Sequence, residues 1–369
     1  MENSSKNILM VYVEPTPYIV GLIEELSLHW QGNIDILFLA ENLSQNWNIK
    51  LKTNYKILAK NKIKKLFQFI SQLSQKKYNS VHLAGWGSSL LILFIFISKY
   101  KKLFVTIESD RPATHYPKLW RRFLKRLTYP MIFSLVDLFL PGGKSQAKYI
   151  EHYGVDPENI YPVQMTVDTI KIKKYASVLN IRDREKMRKD FNIPETALVF
   201  IYVGRLEAGK GIDELISAFN LINNPASYLL MVGEGSLQKG IEFSAKENKR
   251  IICTGRLSNN ELINAYFIAD VLILPSHSDS WGLVVNEAMT MKLPVIVSDK
   301  VGCIDDLVIP FETGLVFPAA QIMKLKNALE YMINFPEERV LMGNNAAQRI
   351  ANWTLENEAK NMCYAWSQL

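Results

Sequence analysis

Three glycines and two basic residues that suit an anion site lie close together in the second half of the chain. Residues 204–211, GRLEAGKG, follow an apolar run and precede a helical pattern, GIDELISAF. Gly204 and its neighbouring glycines let backbone N–H groups approach an anion, and the N-terminus of the next helix adds its dipole. Arg205 and Lys210 supply positive charge beside it, as a diphosphate requires. The alternative is a glycine turn with two solvated basic side chains.

The same segment has the spacing of a P-loop, GxxxxGK[ST]. Gly211, however, stands where a serine or threonine hydroxyl must hold magnesium. The sequence therefore disfavours a P-loop NTPase.

Two carboxylates flank a second glycine-containing turn, in residues 278–289, SDSWGLVVNEAM. The pattern predicts a helix of about a dozen residues, with Asp279 in the loop before it and Glu287 about two turns inside. The free N–H groups of a helix start lie between them and favour an anion. Carboxylates on both sides of such a pocket suit a nucleotide sugar, which has hydroxyls on both sides of a diphosphate. The alternative is an ordinary helix-entry residue, Asp279, and a helix-surface residue, Glu287.

A polar cluster in the first half of the chain is a candidate acceptor site. Glu108, Asp110, Arg111 and His115 follow the predicted strand LFVTI, with a solvated loop as the alternative. The other histidines fit no metal spacing, and His277 is expected to be a wall of the pocket. These other histidines are His29, His82, His152 and His277.

Apolar runs that alternate with amphipathic stretches indicate how these residues are positioned. In the first half, strands are predicted at 7–13, 34–39, 80–83, 103–107 and 136–140, with a helix at about 19–29. In the second half, strands are predicted at 198–203, 228–232, 250–253, 271–274 and 294–297. Residues 163–188 fit an interdomain connection leading into a helix. Strands separated by helices imply parallel sheets, whose ligands bind beyond the carboxyl ends of the strands.

The expected fold is therefore α/β, with two Rossmann-like domains whose active site faces the cleft between them. Residues 1–165 form the first domain, and residues 166–351 form the second. Residues 352–369 are predicted to form a C-terminal helix that can pack back on the first domain. A chain of 369 residues, 48% hydrophobic and 21% charged, is long enough for two cores.

Composition narrows the partners and the compartment. The net charge of +7 favours anionic partners, but no nucleic-acid motif is present. Three widely separated cysteines suggest structural thiols in a reducing cytoplasm. The N-terminus lacks a signal-peptide pattern. The apolar run 90–97 is too short to span a bilayer and predicts a buried helix.

Four segments resemble, in order and spacing, the retaining family-4 glycosyltransferases of GT-B fold. The resemblance covers roughly residues 198–318, and it suggests a role in bacterial surface-polysaccharide or glycolipid biosynthesis. The segments are GRLEAGKGIDELISAF, LMVGEGSL, TGRLSNNELINAYFIADVLILPS and SDSWGLVVNEAMTMKLPVIVSD.

This resemblance implies a role for each matching residue. Arg205 and Lys210 would bind the donor diphosphate and Glu287 the ribose hydroxyls. The backbone of Trp281, Gly282 and Leu283 would meet the phosphate or sugar, and the backbone near Arg256 and Leu257 the base. Gly204, Gly233 and Ser280 complete the expected donor site. The expected catalytic residues are Arg205, Lys210 and Asp279, together with Glu108 of the first half.

The chain departs from the family's pattern in both halves. Asp279 stands in place of the first glutamate of the family's Glu-x7-Glu pair, which contacts the hydroxyls of the transferred sugar. In the first half, VEPTPYIVG and VTIESD replace the glycine-rich loop and the strand-end histidine of many members. Glu108 stands about where that histidine would be. The first half is therefore expected to be a divergent acceptor-binding domain.

Two basic segments with interleaved apolar residues are compatible with an anionic membrane surface. Six lysines and no acid lie in residues 60–77, and five basic residues lie in 118–126. The alternative is a pair of helices packed on the sheet with solvated basic faces. The protein is expected to be cytoplasmic, with a peripheral position at the inner face of the cell membrane left open.

The expected activity is transfer of a hexosyl or N-acetylhexosaminyl group from a nucleoside diphosphate sugar to a hydroxyl of a glycan or lipid-linked acceptor. Family resemblance implies retention of configuration, and a UDP-sugar is favoured over a GDP-sugar. Neither a metal nor another cofactor is expected, since no Asp-x-Asp site is evident and Arg205 and Lys210 can neutralise the leaving group. The alternatives are a nucleotide-sugar epimerase of the same fold and a non-catalytic nucleotide-sugar-binding subunit.

Overall fold

The computed structural model describes residues 6–41, 54–112 and 119–368 of the chain. The chain divides into two compact units. The first comprises Met1–Thr166 together with Leu355–Leu369, and the second comprises Val167–Thr354. The predicted α/β class is confirmed, because each unit is built on a parallel six-stranded sheet.

The first unit has the strand order of a Rossmann fold, β3-β2-β1-β4-β5-β6. Its strands are β1 Ile8–Tyr12, β2 Ile34–Phe38, β3 Tyr55–Ile57, β4 Ser80–Leu83, β5 Phe104–Ser109 and β6 Leu138–Pro141. Its helices are α1 Pro17–His29, α2 Lys62–Gln75, α3 Ser89–Tyr100, α4 Leu119–Phe133, α5 Lys144–Glu151 and, from the C-terminus, α15 Leu355–Ser367. The strand order reverses between β1 and β4, which makes this point a crevice for ligands.

The core of the first unit lies on both faces of its sheet. Every residue of β1 is buried, as expected of a central parallel strand. On one face the ring of Phe69 in α2 stacks on that of Phe94 in α3, with centroids 3.9 Å apart. On the other face, Met362 and Trp366 of α15 pack with residues of β1 and α1. The C-terminal helix therefore completes the core of the first unit.

The second unit repeats the Rossmann order, as β12-β11-β10-β7-β8-β9. Its strands are β7 Leu198–Val203, β8 Ser227–Val232, β9 Ile251–Gly255, β10 Val271–Leu274, β11 Val295–Ser298 and β12 Gly314–Phe317. Its helices are α6 Thr169–Ala176, α7 Ile181–Asp190, α8 Ile212–Asn220, α9 Gln238–Glu247, α10 Asn259–Ile268, α11 Leu283–Thr290, α12 Ile304–Leu307, α13 Ile322–Asn334 and α14 Pro336–Arg349. Here the reversal falls between β7 and β10.

Some elements differ from the sequence predictions. β3 and β12 were not predicted, since β3 has only three residues, all exposed, and β12 has only four. Residues 163–188 hold two helices, α6 and the start of α7, where one was expected. The predicted buried helix at 90–97 is confirmed as part of α3. None of the helices in the described part of the chain combines the length and apolar composition that crossing a bilayer demands.

Candidate functional site

Glycines bring three strand ends of the second unit into close contact. Gly233, after β8, has φ +148°, and a Cβ there would lie 1.8 Å from the backbone oxygen of Gly204, after β7. Gly211 has φ +68°, and its Cβ would lie 2.1 Å from the backbone oxygen of Pro275, after β10. Only glycine fits such positions, because any side chain would overlap backbone. The predicted glycine turn therefore serves first to pack the strand ends at the switch point.

Lys210 and Asp279 form an ion pair across this point. The Lys210 Nζ lies 2.6 Å from Asp279 Oδ2, and both side chains are largely buried. The Ser276 hydroxyl lies 3.5 Å from the same carboxylate oxygen. The sequence assigned Lys210 and Asp279 separate roles, as a mobile cation and a sugar ligand. The structure brings them together, so an anion that binds Lys210 competes with Asp279.

Arg205 differs from Lys210 in its setting. Its residue is exposed, and its backbone oxygen accepts a hydrogen bond of 2.9 Å from the Tyr202 hydroxyl. Burial, followed by the nearby Asp279 carboxylate, raises the pKa of Tyr202. The Tyr202 hydroxyl therefore stays neutral and can donate to the Arg205 backbone, while the guanidinium of Arg205 remains accessible.

The start of α11 shows how Trp281 and Gly282 are used. Gly282 has φ +92°, and a Cβ there would lie 2.8 Å from Val301 Cγ1. Trp281 is buried, donates from Nε1 to Asn286 Oδ1 at 2.9 Å, and packs against Trp353 with ring centroids 5.7 Å apart. Its side chain is therefore core, which leaves a ligand only the backbone of this turn. Leu283, the first residue of α11, is half-buried.

Glu287 lies nearer the helix start than predicted, and the residue is half-buried. α11 has eight residues instead of about a dozen, so Glu287 is the fifth residue, just over one turn inside. The helix ends early because Lys292 has φ +61° and Pro294 follows. The Tyr266 hydroxyl donates to Glu287 Oε2 at 2.7 Å. Burial raises the pKa of Glu287 to about 7, although this hydrogen bond opposes the rise.

The remaining residues implied for the donor site lie on the loops beyond the strand ends. Ser280 and Arg256 are exposed, after β10 and β9 respectively, and Leu257 is half-buried. His277 was expected to be a pocket wall. Instead, its Nε2 lies 2.9 Å from Glu214 Oε1 of α8, and the residue is exposed. His277 thus fixes the β10 loop to α8.

A cavity of about 280 Å³ lies at the switch point of the first unit. Its walls come from the segments after β1 and β4 and from the end of β5, including Tyr18, Trp86, Glu108 and Arg111. Glu108 was expected after the strand, but β5 continues to Ser109, so Glu108 lies within it. Aromatic faces together with a few convergent polar groups are typical of a small-molecule site.

A buried hydrogen-bond network holds the Glu108 carboxylate. The Tyr12 hydroxyl donates to Glu108 Oε2 at 3.1 Å, and His82 Nε2 lies 3.5 Å from the same oxygen. His82 is fully buried, with Nδ1 2.9 Å from Thr106 Oγ1, and Trp366 Nε1 donates to that hydroxyl at 3.3 Å. Burial and the Glu108 charge raise the pKa of Tyr12. Three strands and α15 therefore cooperate to orient one carboxylate.

Sequence reasoning missed Tyr12 and His82 as parts of this site. His82 was set aside because it fits no metal spacing. The signal available was a histidine and a threonine inside apolar strands, since the β4–β5 register pairs His82 with Thr106. Polar side chains buried in a sheet need hydrogen-bond partners, and here His82 and Thr106 are partners of each other.

The other predicted acceptor residues do not form one cluster with Glu108 in the described part of the chain. Asp110 is exposed at the end of β5, whereas the half-buried Arg111 donates from an Nη atom to the Tyr129 hydroxyl at 3.3 Å. His115 lies outside the described residues. Another carboxyl behind the cavity, that of Glu358 in α15, accepts from the Thr166 amide at 3.3 Å, and burial raises its pKa.

Across residues 6–41, 54–112 and 119–368, no group of three or more His, Cys, Asp or Glu side chains is arranged to hold an ion. The cysteines, Cys253, Cys303 and Cys363, are free thiols.

Part of the chain is similar in sequence to known glycosyltransferases. Residues 183–349 match the family model described as glycosyl transferases group 1. D-inositol 3-phosphate glycosyltransferase of Corynebacterium efficiens is 28% identical over 60% of this chain and 54% of its own length. The capsular polysaccharide biosynthesis glycosyltransferase CapM of Staphylococcus aureus is 28% identical over 46% of each chain. The chain thus spans about half the length of the curated relatives it matches.

The fold comparison covers nearly the whole chain. The crystal structure of Anabaena HepE in complex with UDP superposes with a TM-score of 0.79, covering 98% of this chain and all of that one, at 14% identity. At this identity the likeness concerns the fold alone. The expected GT-B fold is therefore confirmed for the two Rossmann units.

Proposed function

We propose, from the premise that residues 183–349 belong to the glycosyl transferases group 1 family, that this chain transfers a sugar from a nucleoside diphosphate sugar to an acceptor hydroxyl. The second unit would hold the donor and the first unit the acceptor. UDP-sugars are the favoured donors, and retention of configuration is part of the proposal.

The observation that carries this proposal is the arrangement at the β7–β10 switch point. Exposed Arg205 and the paired Lys210 lie on the turn after β7, where glycines pack the strand ends closely, and Glu287 lies just over one turn into α11. A donor diphosphate would take Lys210 from Asp279, which frees that carboxylate to meet hydroxyls of the sugar. Preorganised cations at this point stabilise charge on the departing diphosphate, and this stabilisation is the main catalytic requirement.

The donor assignment is tested by calorimetric titration of UDP and by turnover of a panel of UDP- and GDP-sugars. Arg205→Ala and Lys210→Ala should each lower turnover by roughly 10²-fold, the typical loss when one charge-stabilising group is removed. Lys246→Ala is the matched control, because Lys246 is exposed in the last turn of α9. This turn lies away from the carboxyl ends of the strands, where Arg205 and Lys210 are placed. Equal turnover in all three variants would remove the diphosphate assignment.

In this proposal Glu108 faces the acceptor in the cavity of the first unit. Tyr12 and His82 fix one oxygen of its carboxylate, which leaves the other to accept a hydrogen bond from an acceptor hydroxyl. Glu108→Gln should therefore lower sugar transfer and leave UDP affinity unchanged. A loss of UDP affinity in this variant would contradict the division of labour between the units.

We also propose that α4 places the first unit on an anionic membrane surface. Five large apolar side chains of α4 are each more than half exposed and recur at intervals of three and four residues, which puts them on one helix face. They are Trp120, Phe123, Leu124, Leu127 and Met131. The exposed residues Arg121, Arg122 and Arg126 supply positive charge beside them. The acceptor would then be lipid-linked or presented at the membrane.

Vesicle co-sedimentation tests this placement. Binding should require anionic lipid, fall with added salt, and drop when Arg121, Arg122 and Arg126 are changed to glutamate, because each basic residue near such a surface contributes about 1 kcal/mol. The control is an equal charge reversal at Lys239, Lys246 and Lys249, which are exposed in the second unit. Equal losses in the two triple variants would show that only net charge matters.

A further inference from the structure

Two cations of the first unit converge on a pair of tyrosines beside the cavity. The Lys125 Nζ donates to the Tyr149 hydroxyl at 3.2 Å and lies 5.4 Å from the ring centroid of Tyr129. The Arg111 guanidinium donates to the Tyr129 hydroxyl at 3.3 Å, and Tyr149 is among the groups that act on it. Tyr149 is buried, and Lys125 and Arg111 are half-buried. The two phenols thus hold two positive charges close together.

Neutral phenols orient these cations without neutralising them. Among the ion pairs of the described ranges, none joins Arg111 or Lys125 to a carboxylate. The sequence also carries no acidic residue from position 111 to position 136, although it carries six lysines and arginines there. Burial, and then the charges of Arg111 and Arg121, lower the pKa of Lys125 to about 8. Positive charge on Lys125 is therefore held against a cost, which an anion beside it would relieve.

We propose that Arg111, Lys125 and the Tyr149 hydroxyl form a binding site for a phosphate group at the wall of the first-unit cavity. Arg111 lines that cavity, so an anion held by it lies where a second ligand can enter. A guanidinium offers several N–H donors in one plane, and an ammonium offers three more, which together suit the oxygens of a phosphate. Because the Tyr149 oxygen accepts from Lys125, its proton is left to donate to the anion.

The class of ligand follows from the neighbouring groups. A phosphorylated acceptor would place its phosphate on the Arg111–Lys125 pair and its hydroxyls near Glu108, which lines the same cavity as Arg111. Lys125 belongs to α4, whose apolar face is exposed, so the phosphate can belong to a lipid-linked acceptor or to a soluble phosphorylated one. The use of the site by an acceptor rests on the proposed function, whereas phosphate binding itself does not.

Calorimetric titration of sn-glycerol 3-phosphate into the full chain saturated with UDP tests the site. Lys125→Gln and Arg111→Gln should each weaken binding by about tenfold or more, as expected for the loss of a charge-assisted hydrogen bond. Lys148→Gln removes the same charge from the exposed position of α5 next to Tyr149 and should change the affinity by less than about twofold. Lys125→Arg should restore most of the binding, which separates the role of charge from a folding defect.

A parallel titration with phosphatidylcholine vesicles containing phosphatidic acid distinguishes the sources of the phosphate. Dependence on Lys125 in both titrations indicates a site open to soluble phosphate esters, and dependence with vesicles alone indicates a lipid headgroup. Equal weakening by Lys125→Gln and Lys148→Gln, or no phosphate binding in either titration, overturns the proposal. If UDP itself fails to bind, the donor assignment fails, while the Lys125 dependence still reports on this site.

Discussion

The Glu287 carboxyl is expected to lower the free energy of unfolding of the protein as pH rises from 4.5 to about 7. Its pKa is raised from 4.5 to about 7 in the folded chain, chiefly because burial penalises the charged form. Below pH 4.5 the carboxyl is protonated in both folded and unfolded chains, so it has no effect on the pH dependence. Above pH 7 it is ionised in both, and the full penalty of about 3 kcal/mol applies to the folded state.

Glu287→Gln removes this titration while keeping an oxygen that can accept from the Tyr266 hydroxyl. Relative to the parent chain, the variant should therefore gain up to about 3 kcal/mol in free energy of unfolding between pH 4.5 and pH 8. Urea unfolding at several pH values measures the difference. Glu247→Gln, at an exposed position of α9, is the control and should show no such gain.

The same residue links pH to ligand binding. If the ionised carboxylate accepts hydrogen bonds from ribose hydroxyls, UDP affinity should rise from pH 6 to pH 8 in the parent chain and much less in Glu287→Gln. A stability difference that is the same at pH 4.5 and pH 8 would refute the reasoning, because it would mean that Glu287 does not titrate between them.

Two further variants test the geometry at the strand ends of the second unit. Asp279→Asn frees Lys210 from its ion pair. Calorimetry should therefore show UDP affinity unchanged or raised severalfold, while sugar transfer falls. A large loss of UDP affinity would mean that Asp279 itself holds the nucleotide. Gly233→Ala should unfold or strongly destabilise the protein, since its Cβ would overlap the backbone oxygen of Gly204. Gly240→Ala, in the open interior of α9, should stabilise it by about 0.5 to 1 kcal/mol. Similar melting temperatures for the two alanine variants would contradict the packing role of Gly233.

The sequence sufficed for the alternation of strands and helices, because parallel strands buried on both faces are nearly continuous apolar runs. It also located the turns after β7 and β10, where glycines and charges coincide. It could not show that Lys210 and Asp279, 69 positions apart, form an ion pair. Such a contact depends on strand order, which periodicity does not reveal.

The polar interior of the first unit was harder to predict for the same reason. His82 and Glu108 lie on neighbouring strands, and Trp366, which packs against His82, comes from the far end of the chain. Lys125 was grouped with the solvated charges of its helix. Its side chain instead turns toward Tyr149 of α5, which only the packing of α4 and α5 discloses.

Sugar transfer itself tests the central claim most directly. The chain would be incubated with radiolabelled UDP-sugars and a panel of glycan and lipid-linked acceptors, with separation of products and measurement of free UDP. We expect label to move to an acceptor with release of one UDP for each sugar, in Lys246→Ala as in the parent chain, and roughly 10²-fold more slowly in Lys210→Ala. Label that stays on the nucleotide with every donor and acceptor, or conversion to an epimeric nucleotide sugar without free UDP, would contradict the assignment as a glycosyltransferase.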